Sequence, residues 1–171
     1  MKKLITLLES LTNKKVVLED SVFKSRKLEE RLLPIKKELE KHMTIDENKK
    51  IIIVNKDISY NDCLVLEKFY QGYVIDVNGF VDLNFQNLKQ LPSILFNKIS
   101  GYFCCSFNQL ISLEHCPEKI NGSFSCSHNH LISLEYCPKV VGSCFNCDKN
   151  SSRFTKEDVL KRCKVKSDIY C

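Results

Sequence analysis

The sequence has no apolar run near the roughly 18 residues that a membrane-spanning helix needs, so nothing in it reads as a span. The start is basic and then apolar (Met1-Lys2-Lys3, followed by Leu4, Ile5, Leu7 and Leu8), but polar residues interrupt it. No small-residue cleavage site follows, and a secretory signal is not expected. No glycine loop resembles a phosphate cradle, and no serine, histidine and acid are spaced as a catalytic constellation, so the chain is not expected to be an enzyme. Metal binding is equally short of support. A structural zinc site shows ligand pairs two to four residues apart in two clusters, and here only Cys144 and Cys147 have that spacing. A concentrated basic patch is missing too: 26 Lys and Arg against 21 Asp and Glu leave a net charge of +5, but the surplus is spread thinly. Neither nucleic acid nor a membrane is expected as a partner, and no metal or cofactor is expected.

What is present fits a soluble chain of one domain, or a small domain with an appendage: 171 residues, 43% hydrophobic and 27% charged. Its ten cysteines raise the question of disulfides, which their spacing answers. Cys105, Cys126 and Cys147 recur at an interval of 21, and so do Cys116 and Cys137. Such regularity marks a repeated structural position rather than bonded pairs. A free cysteine is a small, readily buried hydrophobe, and a column of them fills a narrow core; the compartment is expected to be reducing.

The same interval organises the whole segment. Written as turns, it reads GFVDLNFQNLKQLP, GYFCCSFNQLISLEHCP, GSFSCSHNHLISLEYCP and GSCFNCDKN. A period of this length predicts a solenoid, with equivalent positions stacked roughly 4.8 Å apart. Each full turn carries an apolar pair two residues apart, Phe103 and Cys105 or Phe124 and Cys126. In a strand that pair faces one side, the core, while the residues between face out. Asn108, Asn129 and Asn150 follow as a stacked ladder, each amide bonding backbone of its own bend and of the next turn. Leu110, Leu131, Leu113 and Leu134 close the far side, and Gly101, Gly122 and Gly142 permit the corner before each strand.

These turns resemble the short leucine-rich repeats of small proteins from large tailed bacteriophages, in which Gly-x-Phe-x-Cys is followed by Ser-x-Asn-x-Leu and Ser-Leu-Glu-x-Cys-Pro. The resemblance covers residues 76–171 and extends to Phe154-Thr155-Lys156-Glu157-Asp158-Val159, similar to the helical cap of such proteins. It implies a viral origin and a solenoid fold, and little about activity. Two departures stand out: Gln86 occupies the asparagine position of the first turn, and the leucines after Asn150 are missing. Degenerate end turns are usual in such stacks.

The expected fold is therefore an α/β solenoid: a helical arm over 1–45, an N-terminal cap with strands and a β-hairpin over 46–78, the leucine-rich repeats over 79–150, and a helix-strand cap over 151–171. Val22, Leu28, Leu32, Ile35 and Leu39 form one face of a lysine- and glutamate-rich helix that Pro34 should kink or split. That face either packs on the end of the stack or serves as an arm for docking or self-association. Leu4, Leu8 and Leu11 make a smaller stripe, and Leu7-Leu8-Glu9 resembles the processing site of phage head-targeting peptides. Asn78-Gly79, between Tyr73–Val77 and Phe80–Asn84, predicts the hairpin, and Ile51–Val54 a further buried strand. Thr155 and Asp158 form a capping-box pattern for a helix from Lys156 to about Cys163, with a last strand at Ile169 and Tyr170.

Counting outward positions gives one column of Phe85, Phe107, His128 and Lys149 and another of Phe80, Tyr102, Ser123 and Cys144. Small polar residues, Asn84, Ser106 and Ser127, are expected to leave a flat, accessible surface between them. An aromatic cluster rimmed by polar groups predicts a protein-binding site at Phe80, Phe85, Tyr102, Phe107 and His128, unless the N-terminal helix covers it. With the viral resemblance, the partner is expected to be a host or viral protein met in the host cytoplasm. A virion component held by its N-terminal arm and a thiol or zinc protein are the alternatives.

Overall fold

The computed structural model describes residues 24–171, so the stripe of Leu4, Leu8 and Leu11, the Leu7-Leu8-Glu9 site and Val22 lie outside the described residues. From residue 43 onward the chain passes back and forth between two sheets. One has seven strands: β1 (Met43–Asp46), β2 (Ile51–Val54), β4 (Val74–Val77), β6 (Leu95–Ile99), β8 (Lys119–Ile120), β10 (Val140–Val141) and β12 (Lys164–Val165). The other has six: β3 (Ile58–Ser59), β5 (Val81–Asp82), β7 (Phe103–Cys104), β9 (Phe124–Ser125), β11 (Phe145–Asn146) and β13 (Ile169–Tyr170). Among the described residues every pairing is parallel except that of β1 with β2. The fold is thus α/β, a stack of turns in which each pass adds one strand to each sheet.

Period-2 alternation explains the core. Ile52, Val54, Ile75, Val77, Ile99, Ile120 and Val141 are buried from the first sheet, and Ile58, Val81, Phe103, Phe124, Phe145 and Ile169 from the second. Phe103, Phe124 and Phe145 are direct neighbours in register on successive strands. Two residues on, Leu83, Cys105, Cys126 and Cys147 form the inward column that the 21-residue spacing foretold, all buried, and all ten cysteines are free thiols. Leu110, Leu113, Leu131 and Leu134 close the coil.

The expected hairpin at Asn78-Gly79 does not form. Strand β4 pairs with β2 and β6, while β5 pairs with β3 and β7, so the dipeptide is a corner between sheets rather than a turn within one. Apolar alternation on both flanks demands burial between the sheets, and neighbours from other turns outcompete a local pairing. The one antiparallel hairpin lies earlier, where Lys50, at φ 53°, closes β1 onto β2. Glycine serves these corners by size: a Cβ on Gly122 would sit 2.6 Å from the Gly101 carbonyl, and Gly101 N–H donates to Gly79 O at 2.7 Å.

Residues 46–78 differ from a separate cap, since β2, β3 and β4 already belong to the two sheets. Between β3 and β4 runs a helix that the hydrophobic pattern did not reveal, α2 (Tyr60–Phe69), whose Cys63, Val65 and Leu66 are buried. Ahead of it α1, helical over residues 24–40, stops before β1, so the helix ends short of the expected boundary at residue 45. The helix is continuous through Pro34, with no split; Pro34 and Glu30, whose carbonyl has no N–H to accept from at that position, are both exposed to solvent. Leu32 and Leu39 are fully buried and Leu28 and Ile35 partly so. Lys68 of α2 reaches Glu29 at 3.0 Å, and Lys36 lies over the rings of Phe69 and Tyr70. The leucine stripe is spent on the chain's own core. At the other end α3 (Lys156–Leu160) has the capping box of Thr155 and Asp158, but ends before Cys163 because the chain turns to add β12 beside β10.

Candidate binding face

The outward surface of the six-stranded sheet carries every residue predicted for partner binding. Backbone register places Asp57, Phe80, Tyr102, Ser123, Cys144 and Asp168 in one column, each just before the inward residue of its strand. Phe80 and Tyr102 stack with ring centroids 4.4 Å apart and planes 9° from parallel. Past the strands a second column bends away through Phe85, Phe107, His128 and Lys149. Phe85 stacks on Phe107 at 4.5 Å, and Phe107 on His128 at 4.1 Å. The ring-bearing members of the two expected columns therefore stack in sequence, and Ser123, Cys144 and Lys149 continue the columns without rings. Residues of α1 do not cover them: Phe85 is 70% exposed, Phe107 44% and Tyr102 39%.

Backbone geometry explains why the second column is so regular. Phe85, Phe107, His128 and Lys149 all take φ between 51° and 58°, the left-handed region that costs a side chain roughly 1–2 kcal/mol. Glycine would enter it freely, yet the chain uses aromatic residues. Each is followed by a ladder position that fixes the bend. Asn108 Oδ1 accepts the N–H groups of Gln86 (3.0 Å) and Leu88 (2.9 Å), while its Nδ2 donates to the carbonyls of Leu83, Cys105 and Ser106. Asn129 accepts from Leu110 N–H and donates to Cys105, Cys126 and Ser127; Asn150 accepts from Leu131 N–H and donates to Cys126 and Cys147. Each amide thus clamps its own bend to the preceding turn, where the following one was expected. The side chain of Gln86, the departure from the pattern, is exposed and donates only to Asn84 O among the described residues.

The floor between the columns differs from expectation. Ser106 and Ser127 are buried, and Ser106 Oγ lies 2.7 Å from Ser125 Oγ and 3.1 Å from Ser127 Oγ. Hydroxyls on adjacent strands saturate one another there, so backbone is not laid open. The sequence reading also passed over two features. Asp57, Asp82, Asp148 and Asp168 share this face, and Ile111 and Ile132, a further pair 21 residues apart, are exposed elsewhere. Repeated isoleucines are a legible signal; the aspartates are not, because they fall at three different positions of the turn and do not recur at one interval.

Among the described residues no three histidine, cysteine, aspartate or glutamate side chains gather as metal ligands. A groove of about 480 Å³ is lined by His115, Cys116, Tyr136, Cys137 and Arg162 among others, and burial pushes the Cys137 thiol up to about 11, away from the reactive thiolate. None of the described helices is long and apolar enough to cross a membrane. Comparison with family models, curated proteins and solved structures finds no match in any of the three.

Proposed function

We propose that the stack is a short leucine-rich-repeat solenoid that works as a protein-binding module through its six-stranded face. The observation that carries this reading is the pair of aromatic stacks, Phe80–Tyr102 and Phe85–Phe107–His128, beside one another along the six-stranded sheet, with Phe85, Phe107 and Tyr102 exposed and Phe80 and His128 half-buried. Exposed aromatic patches rimmed by polar groups mark interaction sites, and buried aromatics dominate interface energies. Left-handed aromatic residues add support, since strain kept in register over successive turns points to a use for the rings it presents. The resemblance to bacteriophage repeat proteins makes the partner a host or viral protein and the host cytoplasm the place of encounter.

Affinity capture from infected cells, run side by side with wild-type chain and with Phe107→Ala, tests the reading. A protein retained by the wild type should bind the variant on the order of 30-fold more weakly, the equivalent of about 2 kcal/mol for a central aromatic. Circular dichroism should stay unchanged, because the ring packs against other exposed rings rather than the core. Capture that survives the loss of both Phe85 and Phe107 would end the proposal.

A further inference from the structure

Charge is segregated on this protein in a way its net charge conceals. Over the whole chain bases outnumber acids, yet the outward positions in and immediately flanking the strands of the six-stranded face hold Asp57, Asp82, Asp148 and Asp168 and no lysine or arginine. The bases adjacent to them in the chain are Lys56, before Asp57, and Lys149, in the bend after Asp148. Such a face repels acidic partners and draws basic ones.

Two of the four carboxylates flank the Phe80–Tyr102 stack. Asp57 Oδ1 accepts the Phe80 N–H at 3.0 Å, and Asp82 Oδ1 accepts the Asn84 N–H at 3.0 Å. Each spends one oxygen on backbone, and neither has an ion-pair partner among the described residues. The neighbouring Lys56 is committed to Asp62 at 3.1 Å. Asp57, Phe80 and Tyr102 stand side by side on three consecutive strands, so the face of the Phe80 ring not covered by Tyr102 is on the Asp57 side. Asp57 is exposed and uses one carboxylate oxygen on the Phe80 amide, so its other oxygen has no hydrogen-bond partner among the described residues. The Tyr102 hydroxyl is held above its ordinary value first by burial and then by its neighbours Asp82, Cys104 and Asp57.

Resting on the reading of this face as a protein-binding surface, we propose that Phe80 and Tyr102 with Asp57 and Asp82 form a subsite for an arginine side chain on a basic segment of the partner protein. A guanidinium is planar, stacks on aromatic faces and offers a fork of N–H donors to carboxylates, three properties this arrangement meets together. An ammonium satisfies only the charge. Phe85, Phe107 and His128 then take apolar side chains of the same segment, which crosses the strands from one column to the other.

Fluorescence anisotropy with a labelled tetra-arginine peptide tests the subsite, using the citrulline counterpart to keep shape while removing charge. Asp57→Asn with Asp82→Asn retains both backbone hydrogen bonds and removes only the charges; Asp148→Asn with Asp168→Asn controls for diffuse attraction. The arginine peptide should bind wild type at least about tenfold more tightly than the citrulline peptide, and the first double variant should weaken it by about tenfold. The second should change it by less than about threefold. Equal losses in both doubles, no preference over citrulline, or no binding would each overturn the subsite. If arginine binding fails while capture still depends on Phe107, the subsite falls alone. If charge-dependent arginine binding persists while capture ignores Phe85 and Phe107, the reading of the Phe85–Phe107–His128 stack as a binding site falls instead.

Discussion

A buried asparagine in this protein does the work that a regular strand ladder does elsewhere. The strands of the six-stranded sheet are two residues long, and the chain leaves each through a bend whose N–H and C=O groups point into the molecule. Asn108 and Asn129, both buried, meet those groups with one side-chain oxygen and one NH2 each. Sequence spacing alone ranks Asn129 above Asn108, because only Asn129 has an asparagine neighbour on both sides. The bonds reverse that logic: the amides reach backbone of the preceding turn, and Asn108 finds it intact in Gln86 and Leu88 despite the missing asparagine. Asn108→Ala and Asn129→Ala should therefore each destabilise by on the order of 1–3 kcal/mol, and by similar amounts, in urea denaturation. A melting curve unmoved by either change would mean that water takes over these bonds. Columns of cysteine, asparagine and leucine were legible because one residue type recurs at one interval. The left-handed aromatics were legible as a column but not as a conformation, since their φ contradicts local preference and is imposed by the bend.

At the scale of elements, both well-capped helices begin at a side-chain oxygen four positions ahead of the first buried apolar residue, Cys63 in α2 and Val159 in α3. Ser59 caps α2 and Thr155 caps α3, each in a reciprocal box with the aspartate three residues on. Thr155 was read in the sequence because its helix ends a visible repeat. Ser59 was missed because Ile51–Val54 and Asn78-Gly79 drew residues 46–78 toward a strand-only cap, and the helix between them has a weak apolar stripe. Its stability rests on Asp62, which is buried and holds Ser59 N–H at 2.9 Å, Ser59 Oγ at 2.7 Å and Lys56 at 3.1 Å. Ser59→Ala should cost about 1 kcal/mol, the usual loss for an N-cap. Because α1 rests on α2 through Lys68–Glu29 and the Lys36 contacts, hydrogen exchange should quicken in residues 24–40 along with 60–69. Quickening confined to α2 would show that α1 is anchored by the sheets instead.

The whole molecule is a narrow core walled by thiols, and that choice sets how it responds to alkali. Seven of the ten cysteines are held above the ordinary thiol value, first by burial: Cys137 to about 11, Cys163 to about 12, and Cys63, Cys105, Cys116, Cys126 and Cys147 in the same direction. An exposed thiol in the unfolded chain titrates near 9.0. Below that pH both states keep their protons and the core contributes its full stability. Above it the unfolded chain ionises first while the folded chain stays neutral, so unfolding releases protons and stability falls as pH rises toward the folded values. Each buried thiol contributes a slope of about 1.4 kcal/mol per pH unit through that window. Urea midpoints under reducing conditions should therefore be nearly level from pH 7 to about 9 and drop steeply beyond it. Lysines and tyrosines titrate in the same range, so the assignment rests on variants: Cys126→Ala, at the centre of the column, should lower stability at neutral pH yet make the alkaline slope shallower by one proton. An unchanged slope in that variant, or rapid alkylation of Cys105 and Cys126 in native protein at pH 8 while Cys171 is still reacting, would show that the thiol wall is open to water.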